Sequence, residues 1–129
     1  MMNKQLFSET HQWVAAAEED NQVYVGISQH AEEALGDIVY VELPAEGKQV
    51  EASQMLGAIE SVKTASEILS PVTGKLVACN ADLEDDPELL NQQPLQTWVY
   101  RLQVDPETFE KEAGQLMTAQ DYAHYLEQS

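Results

Sequence analysis

The sequence predicts a mainly β fold with flanking helices (α+β), and three observations carry the prediction. Short runs of alternating apolar residues fill the centre of the chain, bounded by Pro and Gly turn residues. Helix-start signals stand around those runs, at Ser28, Asp86-Pro87, Asp105-Pro106 and Thr118. A weak repeat, P-x-x-G-K-x-V, runs from Pro44 to Val50 and again, offset by 27 residues, from Pro71 to Val77. Two readings of the repeat stand. It is either two similar turns, since Pro and Gly recur wherever strands reverse, or two strand–turn–strand halves that pack face to face as a small sandwich.

The elements follow in order. "QVYVGIS" alternates with Val23, Val25 and Ile27 on one face and reads as a strand. Ser28 can cap a short helix, "QHAEEAL", and Gly36 sits where a left-handed residue ends one. "DIVYVELP" is a strand with Val39, Val41 and Leu43 facing one way, and Pro44 and Gly47 mark a turn. "KQVEASQMLGAIESV" is strand-like material broken by Ser53 and Gly57. "SEILSPV" and "GKLVACN" are separated by a turn from Pro71 to Gly74. A helix is expected to start at Asp86-Pro87, with Pro at its first position. "TWVYRLQV" places Trp98, Tyr100, Leu102 and Val104 on one face of a strand. The segment from about residue 105 to 128 reads as helical, with Tyr122, Tyr125 and Leu126 as the apolar stripe of "TAQDYAHYLEQ".

Length fits one domain over residues 1–129. Six basic against 23 acidic residues leave a net charge of −17. Nucleic acid and anionic membrane surfaces are thereby excluded as partners, because both need Lys and Arg. The charge serves solubility, steering toward basic partner surfaces, or both. The single cysteine, Cys79, has no thiol partner in the chain and reads as a buried structural residue. "MMNKQLFSETHQW" has no signal or transit pattern and no stretch approaches a membrane span, so a cytoplasmic location is expected.

Catalytic equipment is scarce. His11, His30 and His124 show no metal-ligand spacing, and no nucleophile elbow or Gly-rich phosphate loop occurs. His30 near Glu32 and Glu33 reads as a solvated helix face. The acidic run "DLEDDPE" lacks the glycine and ligand spacing of a calcium loop. No metal site is expected.

One feature remains. "LGAIES" and "SEILSP" can pair as two strands with "VKTA" at the reversal, which puts Lys63 at a hairpin tip. Ser61, Thr64, Ala65 and Ser66 are small and leave room for another protein's active site. A lysine presented in this way suits acylation, which gives a neutral amide on a flexible stem. An exposed lysine that serves only solubility is the competing reading, and Glu60 and Glu67 would hold the amine charged until an enzyme acts on it.

"ESVKTASE" followed by "ILSPVTGKLVACN" resembles the lipoyl-attachment region of the glycine cleavage system H proteins. "VYVGISQHAEEALGDIVYVELPAEGKQV" before it and "NADLEDDPELLNQQP" after it are similar to the family's flanking segments, and the resemblance extends from about Phe7 to a weaker match in the tail. The resemblance implies a barrel-sandwich hybrid of two similar halves and a non-catalytic carrier. It implies lipoate in amide linkage on Lys63, with Glu60, Ser61, Val62, Thr64, Ala65, Ser66 and Glu67 as the attachment context. The implied role is to carry an aminomethyl group from glycine decarboxylase (P protein) to aminomethyltransferase (T protein), and reducing equivalents to dihydrolipoamide dehydrogenase (L protein). Lipoate-attaching enzymes complete the partners, and a monomer is expected. Biotin carriage fits poorly, because Val62 and Thr64, not methionines, flank Lys63.

Two departures from the family pattern bear on cargo. The family's His-Glu-Trp is here His11-Gln12-Trp13, so a carboxylate that could pair with the aminomethyl ammonium is a neutral amide. "PLQTW" lacks the glycine-containing stretch that precedes the family's late tryptophan. Relay or storage of lipoyl groups for 2-oxoacid dehydrogenases, and an unmodified interaction module, stand as alternative roles.

Overall fold

The computed structural model describes residues 4–43 and 45–128. Pro44, expected in a turn, and residues 1–3 of the segment read for targeting signals lie outside them. The described residues form nine strands and five helices in two sheets. The larger sheet has the order β1 (Leu6–Phe7), β2 (Gln12–Ala16), β3 (Gln22–Ile27), β9 (Tyr100–Gln103), β8 (Gly74–Cys79), β5 (Gln49–Val50). The smaller has the order β4 (Ile38–Glu42), β6 (Met55–Ser61), β7 (Ala65–Leu69). Every pairing is antiparallel. The sheets do not close into a barrel. Their inner faces share one apolar core, with Val14, Val25, Leu76 and Leu102 from the larger sheet against Val41, Ile59 and Ile68 from the smaller.

Helix α1 (Gln29–Leu35) forms as the sequence predicts. The Ser28 hydroxyl accepts the Ala31 N–H at 3.1 Å, and Gly36 closes the helix at φ 78°. Helices α2 (Asp82–Asp85) and α3 (Leu89–Gln92) are single turns. The expected start at Asp86-Pro87 is displaced to Leu89, because Asp86 and Pro87 supply carbonyls to a turn that precedes the helix. Helices α4 (Pro106–Ala113) and α5 (Ala119–Glu127) are capped by Asp105 and Thr118 as expected. Glu112 pins α4 to the turn before β8, accepting the Thr73 N–H at 2.7 Å and its hydroxyl at 2.6 Å.

Three further expectations are corrected, and one strand has no sequence reading. Val39 does not share a face with Val41 and Leu43: the register shifts between Ile38 and Tyr40, which turns Val39 outward and Ile38 inward. Trp98 does not share the face of Tyr100, Leu102 and Val104. It precedes β9 and packs on Tyr24, with ring centroids 5.1 Å apart, against a second apolar cluster and not the main core, while Val99 is buried in its stead. Ser53 does break the strand, at φ 73°, but Gly57 lies inside β6 at a register shift. Strand β2 carries no alternation to read, because both its faces are covered. Val14 enters the main core, whereas Trp13 and Ala15 enter a second cluster with Phe7 and Tyr122 of α5.

The repeat has a structural counterpart. Its two G-K segments run antiparallel to each other in β5 and β8, with Gln49 opposite Lys75, and Leu76 N–H donating to Lys48 O at 2.8 Å. Offsetting that register by 27 residues returns the same pairing, the relation expected of two halves about a local twofold. A shift between Leu76 and Ala78 ends the likeness: Val50 is buried and Val77 only half-buried.

Tyr100 is fully buried and its hydroxyl has no hydrogen-bond partner among the described residues; the nearby Ser70 hydroxyl donates to Val72 O at 2.6 Å. Burial pushes its pKa well above the ordinary tyrosine value. The neutral phenol is favoured in the fold, so this contribution is complete below the unfolded pKa of about 10 and is lost as pH rises beyond it. Tyr100→Phe is expected to leave urea stability at pH 7 unchanged, or raise it by up to about 1 kcal/mol, and to reduce the loss above pH about 10.

Candidate site: a lysine hairpin beside a cleft

The hairpin β6–β7 carries Lys63 at its tip, and a local hydrogen-bond knot fixes the tip. Ser61 Oγ accepts the Lys63 and Thr64 N–H groups at 3.3 and 3.1 Å and donates to Thr64 O at 3.2 Å. Ser61 N–H also donates to Thr64 O, at 2.8 Å. A short hydroxyl side chain does here what a longer loop would need several residues to do. From outside the hairpin, Val62 N–H donates to Asp37 O at 3.0 Å, tying the tip to the segment after α1. Val62 remains 69% exposed.

Lys63 is exposed and its stem lies over Gly36. A β-carbon at Gly36 would stand 3.2 Å from Lys63 Cε and 3.7 Å from Nζ. The glycine that ends α1 therefore also keeps the space under the lysine clear, and Asn91 Nδ2 holds its carbonyl at 2.7 Å. Glu60 and Glu67 are exposed, directly opposite Ala65 and Ala58 in the register. Thr64, Ala65 and Ser66 are also exposed.

A cleft of about 410 Å³ opens beside the hairpin. Thr64, Ser66 and Glu67 form one wall, His11, Gln12 and His30 the opposite one, and Ile27, Leu35, Ile59 and Ile68 add apolar surface. Gln12 is buried, and its carboxamide oxygen accepts from the Ser8 hydroxyl at 3.2 Å and from the Thr10 hydroxyl. The "PLQTW" segment is elsewhere. None of Pro94–Trp98 lines the cleft; Pro94 O accepts the Trp13 indole N–H at 3.0 Å and Leu95 O accepts from Gln5. Of the two departures, only Gln12 reaches the cleft.

The histidines are what the sequence reading missed. His11, in the turn between β1 and β2, and His30, on α1, bring their rings to 4.6 Å. His11 Nδ1 lies 2.6 Å from the Tyr122 hydroxyl, which is 2.8 Å from Ser28 Oγ. Burial first, and then the neighbouring His30, hold the His11 pKa below the ordinary histidine range. No local signal could reveal this cluster, since its tyrosine is 111 residues away in sequence. Among the described residues no three His, Cys, Asp or Glu side chains stand together as a metal site, and no helix is long and apolar enough to cross a membrane.

The comparisons with known proteins agree with this geometry. Residues 5–129 match the family model described as "Glycine cleavage H-protein". A probable glycine cleavage system H protein of Thermococcus kodakarensis is 46% identical over 120 residues, covering 93% of this chain and 87% of that one. The glycine cleavage system H protein of Bacillus cytotoxicus is 44% identical over 123 residues, covering 95% and 93%. The crystal structure of a glycine cleavage system H protein from Mycobacterium marinum superposes with a TM-score of 0.80 at 33% identity, covering 97% of this chain and 98% of that one. With residues 5–129 matched by the family model and the fold shared, the chain belongs to the glycine cleavage H-protein family.

Proposed function

We propose that the chain is one lipoyl-carrier unit over residues 1–129, closed by the helical segment 105–128, and that Lys63 bears lipoate in amide linkage. The observation that supports this most is the fixed, exposed tip: an amine over a glycine, on a turn locked by Ser61, beside a cleft built partly from its own hairpin. Glu60, Ser61, Val62, Thr64, Ala65, Ser66 and Glu67 then form the surface that the attaching enzyme meets.

The residues present fit a lipoyl group. Its apolar dithiolane suits the surface of Ile27, Leu35, Ile59 and Ile68, and small side chains leave the stem unobstructed. The group supplies dithiol chemistry that Cys79 does not, since burial and nearby Glu46 and Glu84 push that thiol's pKa up. The chain's own part is to hold, present and shelter. Ser61 and Asp37 fix the tip, Gly36 clears the stem's path, and the cleft withdraws cargo from water. In this reading the carrier takes an aminomethyl group from the P protein to the T protein, then brings reducing equivalents to the L protein, as a cytoplasmic monomer.

Gln12 favours a second reading, relay of lipoyl groups to 2-oxoacid dehydrogenases, because the cleft has an amide where the family has a carboxylate. Reconstitution of the lipoylated chain with P, T and L proteins separates the two. The carrier reading expects glycine decarboxylation and glycine–bicarbonate exchange. No turnover with wild type, together with turnover by Gln12→Glu, would give the relay reading the lead.

A further inference from the structure

We propose that Asn91, on α3, is a positioning residue for the acylation of Lys63, a role that rests on the lipoyl reading of that lysine. Residues 36–38 run antiparallel to the hairpin tip and meet it one residue at a time. Ile38 pairs with Ser61, where β4 begins beside β6. Asp37 O accepts the Val62 N–H at 3.0 Å. Gly36 lies under the Lys63 stem, where an added β-carbon would stand 3.2 Å from Cε. These three residues cradle the tip, so whatever fixes them fixes the approach of the lysine.

One carboxamide clamps both ends of the cradle. Asn91 Oδ1 accepts the Ile38 N–H at 2.8 Å, while Nδ2 donates to Gly36 O at 2.7 Å and to Glu32 Oε2 at 2.9 Å. The backbone assigns this orientation, because a main-chain N–H only donates and a main-chain carbonyl only accepts. The cradle has little other regular support. Gly36 ends α1 at φ 78°, ψ −150°, and the β4–β6 register shifts just after Ile38, so neither the helix nor an even ladder runs through it. Helix α3 is a single turn, but Leu90 beside Asn91 is fully buried in the main core and anchors the clamp. During attachment the Lys63 amine takes the ATP-activated carboxyl carbon of lipoate: a C–N bond forms, a C–O bond breaks, AMP leaves and the amine proton passes to solvent. Asn91 touches none of these atoms. It holds the tip ready before the enzyme arrives, so a loosened tip must be ordered on binding, and the cost appears in KM and not in kcat.

The test uses the full chain, free of lipoate, as the varied substrate of a lipoate-attaching enzyme with ATP and lipoate. Attachment is followed by intact mass in wild type, Asn91→Ala, Asn91→Asp and Gly26→Ala. Asn91→Asp keeps the side-chain volume but loses the donor to Gly36 O. Gly26→Ala weakens the fold from β3, away from the cradle. We expect KM to rise about five- to ten-fold for Asn91→Ala, the size of one hydrogen bond, and by a similar factor for Asn91→Asp. The kcat should stay within about two-fold of wild type, and Gly26→Ala should leave KM unchanged. Amide exchange supplies a readout without the enzyme. In both Asn91 variants the Val62 N–H should lose more protection than the Leu76 N–H, which is bound to Lys48 O in the larger sheet. An unchanged KM in the Asn91 variants, an equal rise in Gly26→Ala, or equal losses of protection at Val62 and Leu76 overturns the proposal. Wild type that takes no lipoyl group defeats the Lys63 reading itself, and this role with it; wild type that is lipoylated beside Asn91 variants of unchanged KM defeats the Asn91 role alone.

Discussion

Lys63→Arg is expected to fold like the wild type and to accept no lipoyl group. Arginine keeps a cation and a stem of similar length, but its guanidinium stays protonated and is not acylated as an amine is. The substitution falls at an exposed tip whose backbone bonds come from Ser61, Asp37 and Thr64, none of which involves the Lys63 side chain. Its cost to stability should remain within about 0.5 kcal/mol, as for other surface changes. Incubation with a lipoate-attaching enzyme, ATP and lipoate should add mass to wild type only. Reconstituted glycine decarboxylation should fall to background. A mass increment on Lys63→Arg would move the attachment point to another lysine: Lys4, Lys48, Lys75 or Lys111.

Gly26→Ala is expected to destabilise the fold by about 2–3 kcal/mol. Gly26 of β3 stands opposite Trp13 of β2, and a β-carbon there would fall 2.5 Å from the indole Cε2 and Cζ2. The indole cannot retreat: it is fully buried, and its N–H is bound to Pro94 O at 3.0 Å. The clash is specific, so a smaller ring should relieve it. In a Trp13→Phe background the cost of Gly26→Ala should drop by about 1 kcal/mol or more, a coupling that urea denaturation of the four-member cycle measures. Additive losses would show that strain elsewhere, not the indole, sets the cost. This pair also explains why the second tryptophan-containing departure, "PLQTW", matters for packing: its first carbonyl anchors the Trp13 ring.

The hairpin was legible because each of its causes is local. Alternation marks the strands, small polar residues mark the reversal, and Ser61 closes the turn within three residues. Helices α1, α4 and α5 were legible through their caps for the same reason. Strand β2 was not, because an element buried on both faces loses the period that reveals a strand. The bulge at Val39 was not, because a register shift depends on what the partner strand β6 presents. The cleft was half legible. Its hairpin wall is a sequence motif, but its opposite wall is assembled from the β1–β2 turn, the start of β2 and α1, with Tyr122 of α5 behind them, and only tertiary packing brings these together. Gln12 could be read as a departure from a family pattern; that Ser8 and Thr10 bind its oxygen, and that His11 stands beside it, required the fold.

The central claim is that this chain works through a lipoyl group on Lys63. The most direct measurement is the intact mass of the protein purified from its native host, followed by mass mapping of the peptide that contains residues 49–75. The account predicts one lipoyl increment, carried on Lys63 and absent from Lys63→Ala expressed in the same cells. A native protein with no increment, or one whose increment survives in Lys63→Ala, would contradict it.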